Sequence, residues 1–536
     1  DTVYERVRRL PSLIVVPYYG NVEAVWTADG ANPENPSDAG NWSWEDAGVP
    51  PLAVGSLYPK FADDGERITI DDNADFKGIR FAGAAGRFDI AGPGMLTVRS
   101  LGITADAQRT NRIDAHVRCL GSQKWTVGAG SVLEIGGGIS DIGGSAELVK
   151  DGEGRLILDS PSEFTGPITV GDGSSKAGEI MVTAATNALG LASDHPVTIN
   201  SIKGSSPAQG VFRLACTTGV CHVERPVVLK NSDMQYAFRS EAYTTNVFTR
   251  PLVADGTLRF FFDKYSEVIC LGGGSFGGWT CFGGDGRAKW IFRKTPVSFN
   301  YLYMSAGARL HLDVASNHVG GVEFPASGVN ELFANVPFAL ASDVTKIKFS
   351  NSGSRINISG GDQRVGSFTT MSGGAVTSSV PAVLEVTQTD DITNGGVYFL
   401  GAAGLFKLGA GRLTFPLSQT SSGAVGVGEG TLAFTDGATW ANSTNITVNG
   451  TGVLEISSSE TFSPSCEMHI SGNGKVRIAA GVVQRVRHLY IDGKPVGVGG
   501  LFGGVDSSGD KRFSGYLEGQ GLLKVKGIGS CRIIIR

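Results

Sequence analysis

Short runs in which apolar and polar residues alternate follow one another along this chain. Examples are RITI at 67–70, SVLEI at 131–135, RLILD at 155–159 and VLEI at 453–456, and Gly, Asn, Asp and Ser separate such runs. A period of two is typical of strands with one buried face, and the separating residues favour turns. No long window has the 3.6-residue period of an amphipathic helix. The pattern therefore predicts an all-β chain.

A unit of the form G-x-ψ-x-ψ, in which ψ is apolar, recurs at a regular spacing. GTLAF begins at residue 430, GVLEI at 452 and GKVRI at 474. A period between about 20 and 50 residues indicates a repeat architecture, in which stacked coils share one core. We therefore predict a parallel β-helix, or β-solenoid, right-handed and covering most of residues 50–525. Residues 200–300 are richer in aromatic residues, and there we expect longer loops or an antiparallel elaboration of the same solenoid.

A longer cassette of the sequence occurs twice without a gap. Leu148–Val170 reads LVKDGEGRLILDSPSEFTGPITV, and Leu405–Val427 reads LFKLGAGRLTFPLSQTSSGAVGV. Glycine at a corner allows the positive φ that other residues rarely adopt. We expect the lysine of each copy to face solvent. We expect six other side chains to point into the core, namely Leu148, Leu156, Leu158, Leu405, Leu413 and Phe415.

The cassette resembles the autotransporter-associated β-strand repeat of bacterial surface proteins, with the form L-x-K-x-G-x-G-x-L-x-L and then F-x-G-x-I-x-V. The second copy has Ser421 in place of the aromatic residue. Residues 25–43 are similar to the module that opens such arrays, and residues 489–525 to the module that closes them. The resemblance implies a parallel β-helix at or outside a bacterial cell surface, without catalytic residues. Only KGIGSCRIIIR follows Val525, so we expect a processed passenger or another export route.

These patterns divide the chain into four predicted parts. Residues 1–25 are an N-terminal arm and a candidate donated strand. Residues 26–145 contain the opening module and the first coils. Residues 146–470 are the β-solenoid with irregular insertions at about 200–300, and residues 471–536 are the closing module and a C-terminal strand.

Composition and charge narrow the classes of function. Hydrophobic residues make up 41% of the 536 residues, enough for a sizeable core, and glycine contributes 77. The formal net charge of −5 gives no electrostatic case for a nucleic-acid partner. No apolar run reaches the roughly 18 residues of a membrane span. The first residue is Asp rather than Met, which indicates a removed leader and hence export.

Four of the seven cysteines form two local pairs. CTTGVC and CLGGGSFGGWTC each enclose glycine, so that a chain reversal would bring their two sulfurs together. Since disulfides are frequent in exported proteins, we predict the bonds Cys216–Cys221 and Cys270–Cys281. The alternative is that these residues are buried free thiols. The roles of the other three are open, namely Cys119, Cys466 and Cys531.

Residue types that carry chemistry form no specific motif. GGGSFG at 272–277 matches the dinucleotide pattern and, through Ser275, the nucleophile elbow, but both need a following helix and WTCFGGDG follows instead. We expect a plain glycine loop there. Residues 63–76 and 34–38 carry the oxygen ligands that calcium prefers, with solvated turns as the alternative. The seven histidines are scattered. We predict no enzyme activity and no catalytic, cofactor-binding or metal-binding residue.

The sequence therefore predicts an exported structural protein, a β-solenoid subunit of a bacterial extracellular fibre or surface layer. The N-terminal arm contains the strand-prone run LIVV, which has no partner within the repeats. We expect a homo-polymer in which this arm adds as a strand to the next subunit, head to tail. The anchors would be Leu13, Ile14, Val15 and Val16. Two alternatives stay open: a β-helical polysaccharide lyase or hydrolase, and a monomeric adhesin that binds cell-surface glycans with exposed aromatic residues.

Overall fold

In the computed structural model the chain divides into two compact units, residues 1–280 and 281–536. All regular structure in the described residues is β-strand, and within each unit the strands stack as the coils of a β-solenoid. The described residues are 23–26, 42–44, 58–61, 67–82, 87–106, 108–144, 146–173, 178–200, 212–216, 219–230, 234–284, 286–326, 328–350, 353–497 and 499–526.

The strands of the first unit alternate with short corners. In chain order they are β1 (Glu23–Trp26), β2 (Trp42–Trp44), β3 (Tyr58–Phe61), β4 (Arg67–Thr69), β5 (Ala74–Phe81), β6 (Phe88–Ala91), β7 (Met95–Ala105), β8 (Thr110–Ile113), β9 (His116–Cys119), β10 (Gln123–Val127), β11 (Val132–Ile135), β12 (Ile139–Asp141), β13 (Leu148–Asp151), β14 (Arg155–Leu158), β15 (Ile168–Val170), β16 (Glu179–Val182), β17 (Val197–Asn200), β18 (Phe212–Leu214), β19 (Val220–Val223), β20 (Val227–Lys230), β21 (Met234–Ser240), β22 (Thr245–Phe248), β23 (Leu252–Asp255), β24 (Leu258–Phe262) and β25 (Glu267–Cys270). Strand β26 (Gly274–Gly284) spans the boundary of the units.

The second unit is built in the same way. Its strands are β27 (Lys289–Phe292), β28 (Val297–Ser305), β29 (Arg309–Leu312), β30 (His318–Val319), β31 (Gly321–Phe324), β32 (Glu331–Ala334), β33 (Ala341–Phe349), β34 (Arg355–Asn357), β35 (Gln363–Met371), β36 (Ala375–Thr387), β37 (Ile392–Thr393), β38 (Tyr398–Leu408), β39 (Arg412–Phe415), β40 (Val425–Val427), β41 (Thr431–Phe434), β42 (Asn445–Val448), β43 (Val453–Ile456), β44 (Glu467–Ile470), β45 (Lys475–Ile478), β46 (Val483–Val486), β47 (His488–Ile491), β48 (Lys494–Pro495), β49 (Gly500–Gly503), β50 (Lys511–Arg512), β51 (Leu517–Glu518) and β52 (Leu522–Val525).

Equivalent residues of successive coils pair in parallel register. In the second unit Leu413 pairs with Leu432, Leu432 with Leu454, and Leu454 with Val476. All four side chains are buried, so each coil covers the apolar face of the next. The recurring G-x-ψ-x-ψ unit is therefore a strand of the repeat. The predicted all-β, parallel β-solenoid class is confirmed.

The strands between Phe212 and Cys270 continue the parallel stack of the first unit. Strand β18 pairs with β21 and β21 with β24, while β19, β22 and β25 form a second row, all in parallel. The expected antiparallel elaboration is wrong for these described strands. The pairing stays parallel because the large aromatic side chains of this region fit inside the coils. Five of them are buried in the core, namely Phe212, Phe238, Phe248, Phe260 and Phe262.

Both copies of the cassette pack as predicted, since the six expected core side chains are at most 1% exposed. The structure also explains the repeated glycines. Gly152 has a φ of 78° and Gly409 a φ of 79°, in the left-handed region that favours glycine. A Cβ on Gly154 would lie 2.2 Å from Gly128 O, in the preceding coil. The glycine corner is thus required by backbone conformation and by the close approach of the coil before it.

The cassette lysines are buried, so the expectation that they face solvent is wrong. Lys150 Nζ donates hydrogen bonds to the carbonyl oxygens of Gly152 and Gly154, both at 2.6 Å. Lys407 Nζ lies within hydrogen-bonding distance of four carbonyl oxygens, those of Gln388, Leu408, Gly409 and Glu429, which share its three N–H groups. Burial lowers the pKa of Lys150 to about 7 and that of Lys407 to about 8. Each lysine satisfies buried carbonyl oxygens of its corner, which would otherwise have no hydrogen-bond donor.

The second cassette compensates for its missing aromatic residue. Phe164 fills the core in the first copy, whereas Ser421 is buried and donates to Gly401 O at 3.2 Å. Trp440, from the next coil, donates its indole N–H to Ser421 O at 2.9 Å and is fully buried. Its ring packs against three phenylalanines of this core, namely Phe399, Phe415 and Phe434. One large side chain thus replaces another from a different position.

The last described strands of the second unit depart from the parallel pattern. Strand β48 pairs antiparallel with β47, and β49 pairs antiparallel with β52. Strands β48 and β50 are two residues long and consist of Lys-Pro and Lys-Arg. Very short edge strands with proline and charge discourage the addition of another strand.

Candidate functional site

The residues predicted to anchor a polymer, Leu13 to Val16, lie outside the described residues, as do residues 34–38. GGGSFG is not the expected glycine loop, because Gly274 to Phe276 belong to β26 and pair with β23. The dinucleotide and nucleophile motifs both require a turn that leads into a helix. This stretch lies within a strand instead, so it matches neither motif. Across the described ranges, no group of three or more His, Cys, Asp or Glu is arranged to hold a metal ion.

The four cysteines predicted to form disulfides are buried free thiols in this structure, and the two bonds stay a prediction. Between Cys270 and Cys281 the glycines lie largely in an extended strand, so the chain reversal that the pairing required is not formed. Cys216 and Cys221 differ, because both thiols approach the same backbone oxygen, Ala184 O, at 3.0 Å and 3.7 Å. Cys119 and Cys466 are also buried free thiols, and Cys531 lies outside the described residues.

Two tyrosines in the aromatic-rich region are exposed, in contrast to its buried phenylalanines. Tyr243 is 73% exposed and Tyr265 is 37% exposed. Their rings are stacked, with centroids 5.2 Å apart and planes inclined by 23°. The two residues occupy equivalent corners of successive coils, where the Tyr243 N–H donates to Lys264 O at 3.1 Å. We call Tyr243, Lys264 and Tyr265 the tyrosine platform.

Both tyrosines have an unusual backbone conformation. Each has a φ of 61°, in the left-handed region that bulky residues rarely adopt. Such a conformation costs about 1–3 kcal/mol and is frequent at functional sites, where the surrounding structure holds it. Glycine or asparagine would fill the same corner with less strain. Eight other non-glycine residues of the described chain also have a positive φ, so what distinguishes these two corners is their pair of exposed, stacked rings.

Hydroxyl groups on either side hold the two corners in place. Thr244 Oγ1 donates to Glu241 O at 2.7 Å, and Ser266 Oγ donates to Asp263 O at 2.8 Å in the next coil. Asn246 Nδ2, fully buried, donates to Thr244 Oγ1 at 3.0 Å. In each corner, the hydroxyl group of the residue after the tyrosine is thus bonded to the carbonyl oxygen of the residue two positions before it. The backbone of the platform is thus held by these hydrogen bonds, while the two tyrosine side chains are exposed to solvent.

Charged side chains next to the platform form a continuous ladder. Glu241 contacts Arg213 at 2.5 Å and Arg239 at 3.1 Å, and Asp263 contacts Arg239 at 2.8 Å. Lys264 is exposed, and its Nζ lies 5.4 Å from the centroid of the Tyr265 ring. It has no carboxylate partner in the described part of the chain. Glu241 and Asp263 are therefore paired with arginine, and Lys264 places a positive charge beside the rings.

The sequence contains a signal for this site that pattern reading missed. The segments EAYTT and DKYSE place a tyrosine between an acidic residue and a hydroxyl residue, one repeat apart. In a solenoid with this period, such positions stack on one another. The arginine ladder could not be assigned from sequence, because it depends on which strands are neighbours.

Comparisons with protein-family models, curated proteins and solved structures found no match. The fold defines the chain as a parallel β-solenoid protein, and the likeness of its cassette to the autotransporter-associated repeat stays a prediction. None of the described residues forms a helix long and apolar enough to cross a membrane.

Proposed function

We propose that this chain is an adhesive structural protein of the bacterial cell exterior, which binds an acidic polysaccharide at its tyrosine platform. The observation that carries the proposal is the exposed, stacked pair of tyrosines held in a strained conformation at successive corners. Exposed aromatic side chains fixed by their surroundings are typical of binding surfaces. Of the functions considered from sequence, the glycan-binding adhesin requires such residues.

Stacking on tyrosine suits a sugar ring. The face of an aromatic ring carries partial negative charge, and the C–H groups on one face of a pyranose carry partial positive charge. One face of Tyr243 lies against Tyr265, and its 73% exposure leaves the opposite face open to solvent. A polysaccharide lying along the surface would place one residue on this open face.

The charge of the platform selects the class of polysaccharide. Lys264 presents an ammonium group beside the rings, whereas Glu241 and Asp263 are held by arginine. An ammonium group attracts a carboxylate, with a contribution of about 0.2–1 kcal/mol at an exposed site. We therefore assign the ligand to the uronic-acid class, such as an oligogalacturonate.

Replacing Tyr243 with alanine should weaken the binding of an oligogalacturonate at least about 10-fold, since an aromatic anchor is lost. Lys264→Met should weaken it about 2–5-fold at low salt, and should leave binding of a neutral oligosaccharide unchanged. Isothermal titration calorimetry measures both effects. Tyr398→Ala is the matched control, because Tyr398 is 41% exposed but lies in the second unit. Equal affinities of the wild type and Tyr243→Ala would refute the proposal.

Head-to-tail assembly into a fibre is a second proposal, supported by the way coils stack through backbone hydrogen bonds. The short charged edge strands β48 and β50 count against addition at those edges. If the arm is the joining element, deletion of residues 1–20 should convert a polymer into a monomer. Analytical ultracentrifugation distinguishes the two states. A monomeric wild type at high concentration, or an unchanged polymer after deletion, would exclude this mode of assembly.

A further inference from the structure

Two buried thiols meet at the corner that precedes the tyrosine platform. Cys216 follows β18, and Cys221 lies in β19. Both sulfurs approach the same backbone oxygen, Ala184 O, at 3.0 Å for Cys216 and 3.7 Å for Cys221. They are thus already neighbours in the folded chain.

We propose that Cys216 and Cys221 form a disulfide bond when the folded chain meets a low-molecular-weight disulfide, and that this bond fixes the start of β19, the strand that pairs with β22 beside the platform. One cysteine thiolate attacks the small disulfide and releases one small thiol, which gives a mixed disulfide. The second cysteine thiolate then displaces the other small thiol. The two protein thiols lose two protons and two electrons, and the small disulfide is reduced to two thiols.

The other described cysteines are placed differently. Cys119 lies in β9 and Cys466 precedes β44, and both side chains are buried. Burial raises the pKa of Cys466 to about 12 and raises the pKa of Cys119 as well. Such thiols act as small apolar core residues. Cys216 and Cys221 are as deeply buried, and they differ from these two in sharing a contact with Ala184 O.

A disulfide between Cys216 and Cys221 would also affect the next coil, because β19 pairs with β22. Val220 pairs with Thr245, and Cys221 pairs with Asn246 of the polar group that brackets Tyr243. A disulfide that fixes the start of β19 also fixes the strand on which β22 stacks. The bond restricts the unfolded chain too, although the loop that it closes is short.

The hydrogen bond from Cys216, and then burial, raise the pKa of Cys221. Because only the thiolate attacks, the reaction with oxidised glutathione should be slow at pH 7 and faster at pH 9. The experiment treats the whole chain with oxidised glutathione at both pH values, followed by intact mass and by peptide mapping without reduction. A mass loss of about two hydrogens and a Cys216–Cys221 peptide are expected.

The melting temperature should rise by about 2–6 °C on oxidation. Cys216→Ser and Cys221→Ser should each abolish both the mass change and the rise, and Cys119→Ser should abolish neither. If a variant fails to fold, peptide mapping of the oxidised wild-type chain still shows whether Cys216 and Cys221 are bonded. Free Cys216 and Cys221 after treatment at pH 9, or a different pairing, would overturn the proposal.

Discussion

Replacing Leu156 with alanine should lower the free energy of unfolding by about 2–5 kcal/mol. Leu156 is fully buried in β14, and its strand lies between two neighbouring coils. It pairs with Leu133 in the coil before and with Ile180 in the coil after. Alanine would remove apolar contacts on both sides and leave a cavity that the rigid backbone of the stack cannot close. Chemical denaturation followed by circular dichroism measures the change.

Leu191→Ala is the matched control, because Leu191 belongs to the same unit and is 41% exposed. Its substitution should change the free energy of unfolding by less than about 0.5 kcal/mol. A cost for Leu156→Ala that is as small as that of the control would mean that the leucine rows do not form the core.

Lys407→Met should cost about 2–4 kcal/mol, although it removes a charge from the interior. Methionine is nearly as long as lysine, so the packing volume is kept. It donates no hydrogen bond, however, and the four carbonyl oxygens of the corner lose the Lys407 ammonium group. A buried acceptor that loses its donor costs about 1–3 kcal/mol, and the loss at several carbonyl oxygens together outweighs the gain from not burying the charge. The denaturation midpoint reports the change.

Lys494→Met provides the comparison, since Lys494 lies in the same unit and is exposed. We expect it to change the free energy of unfolding by less than about 0.5 kcal/mol. If Lys407→Met is neutral or stabilising, the corner carbonyl groups do not depend on the lysine, and another explanation is needed for its recurrence.

The periodic part of the fold could be predicted from sequence because local pattern and global packing agree. Alternation along each strand determines which side chains are buried, as in the run RLIL of β14. The period of 22 residues determines which strands are neighbours, as in the row from Leu432 to Val476. Both signals are properties of a single repeat, and stacking multiplies them.

Features that depend on the neighbouring coil could not be predicted in the same way. A lysine between apolar residues suggests an exposed side, and the carbonyl oxygens that bury Lys150 become visible only when the corner is built. The same is true of CLGGGSFGGWTC, in which glycine suggested a reversal but the chain is largely extended in β26. Glycine permits a turn, and the preceding coil decides whether one forms.

For the candidate site, the sequence predicted only that exposed aromatic residues would bind a glycan, and not which residues these are. Aromatic enrichment near residues 200–300 suggested a glycan-binding surface, but it could not separate Tyr243 from Phe248. The structure separates them, because inward positions of the strands take the phenylalanines and corners take the tyrosines. Charge neutralisation by Arg239 also depends on pairing between coils, which no short motif encodes.

A crystal structure of the chain with bound trigalacturonate tests the proposed binding function most directly. We expect one pyranose ring on the open face of Tyr243, within about 4 Å, the range of van der Waals contact. Its carboxylate should lie within hydrogen-bonding distance of Lys264 Nζ, about 2.7–3.2 Å. Density for the sugar at another surface, or an empty platform at saturating ligand in an unobstructed lattice, would contradict the proposal.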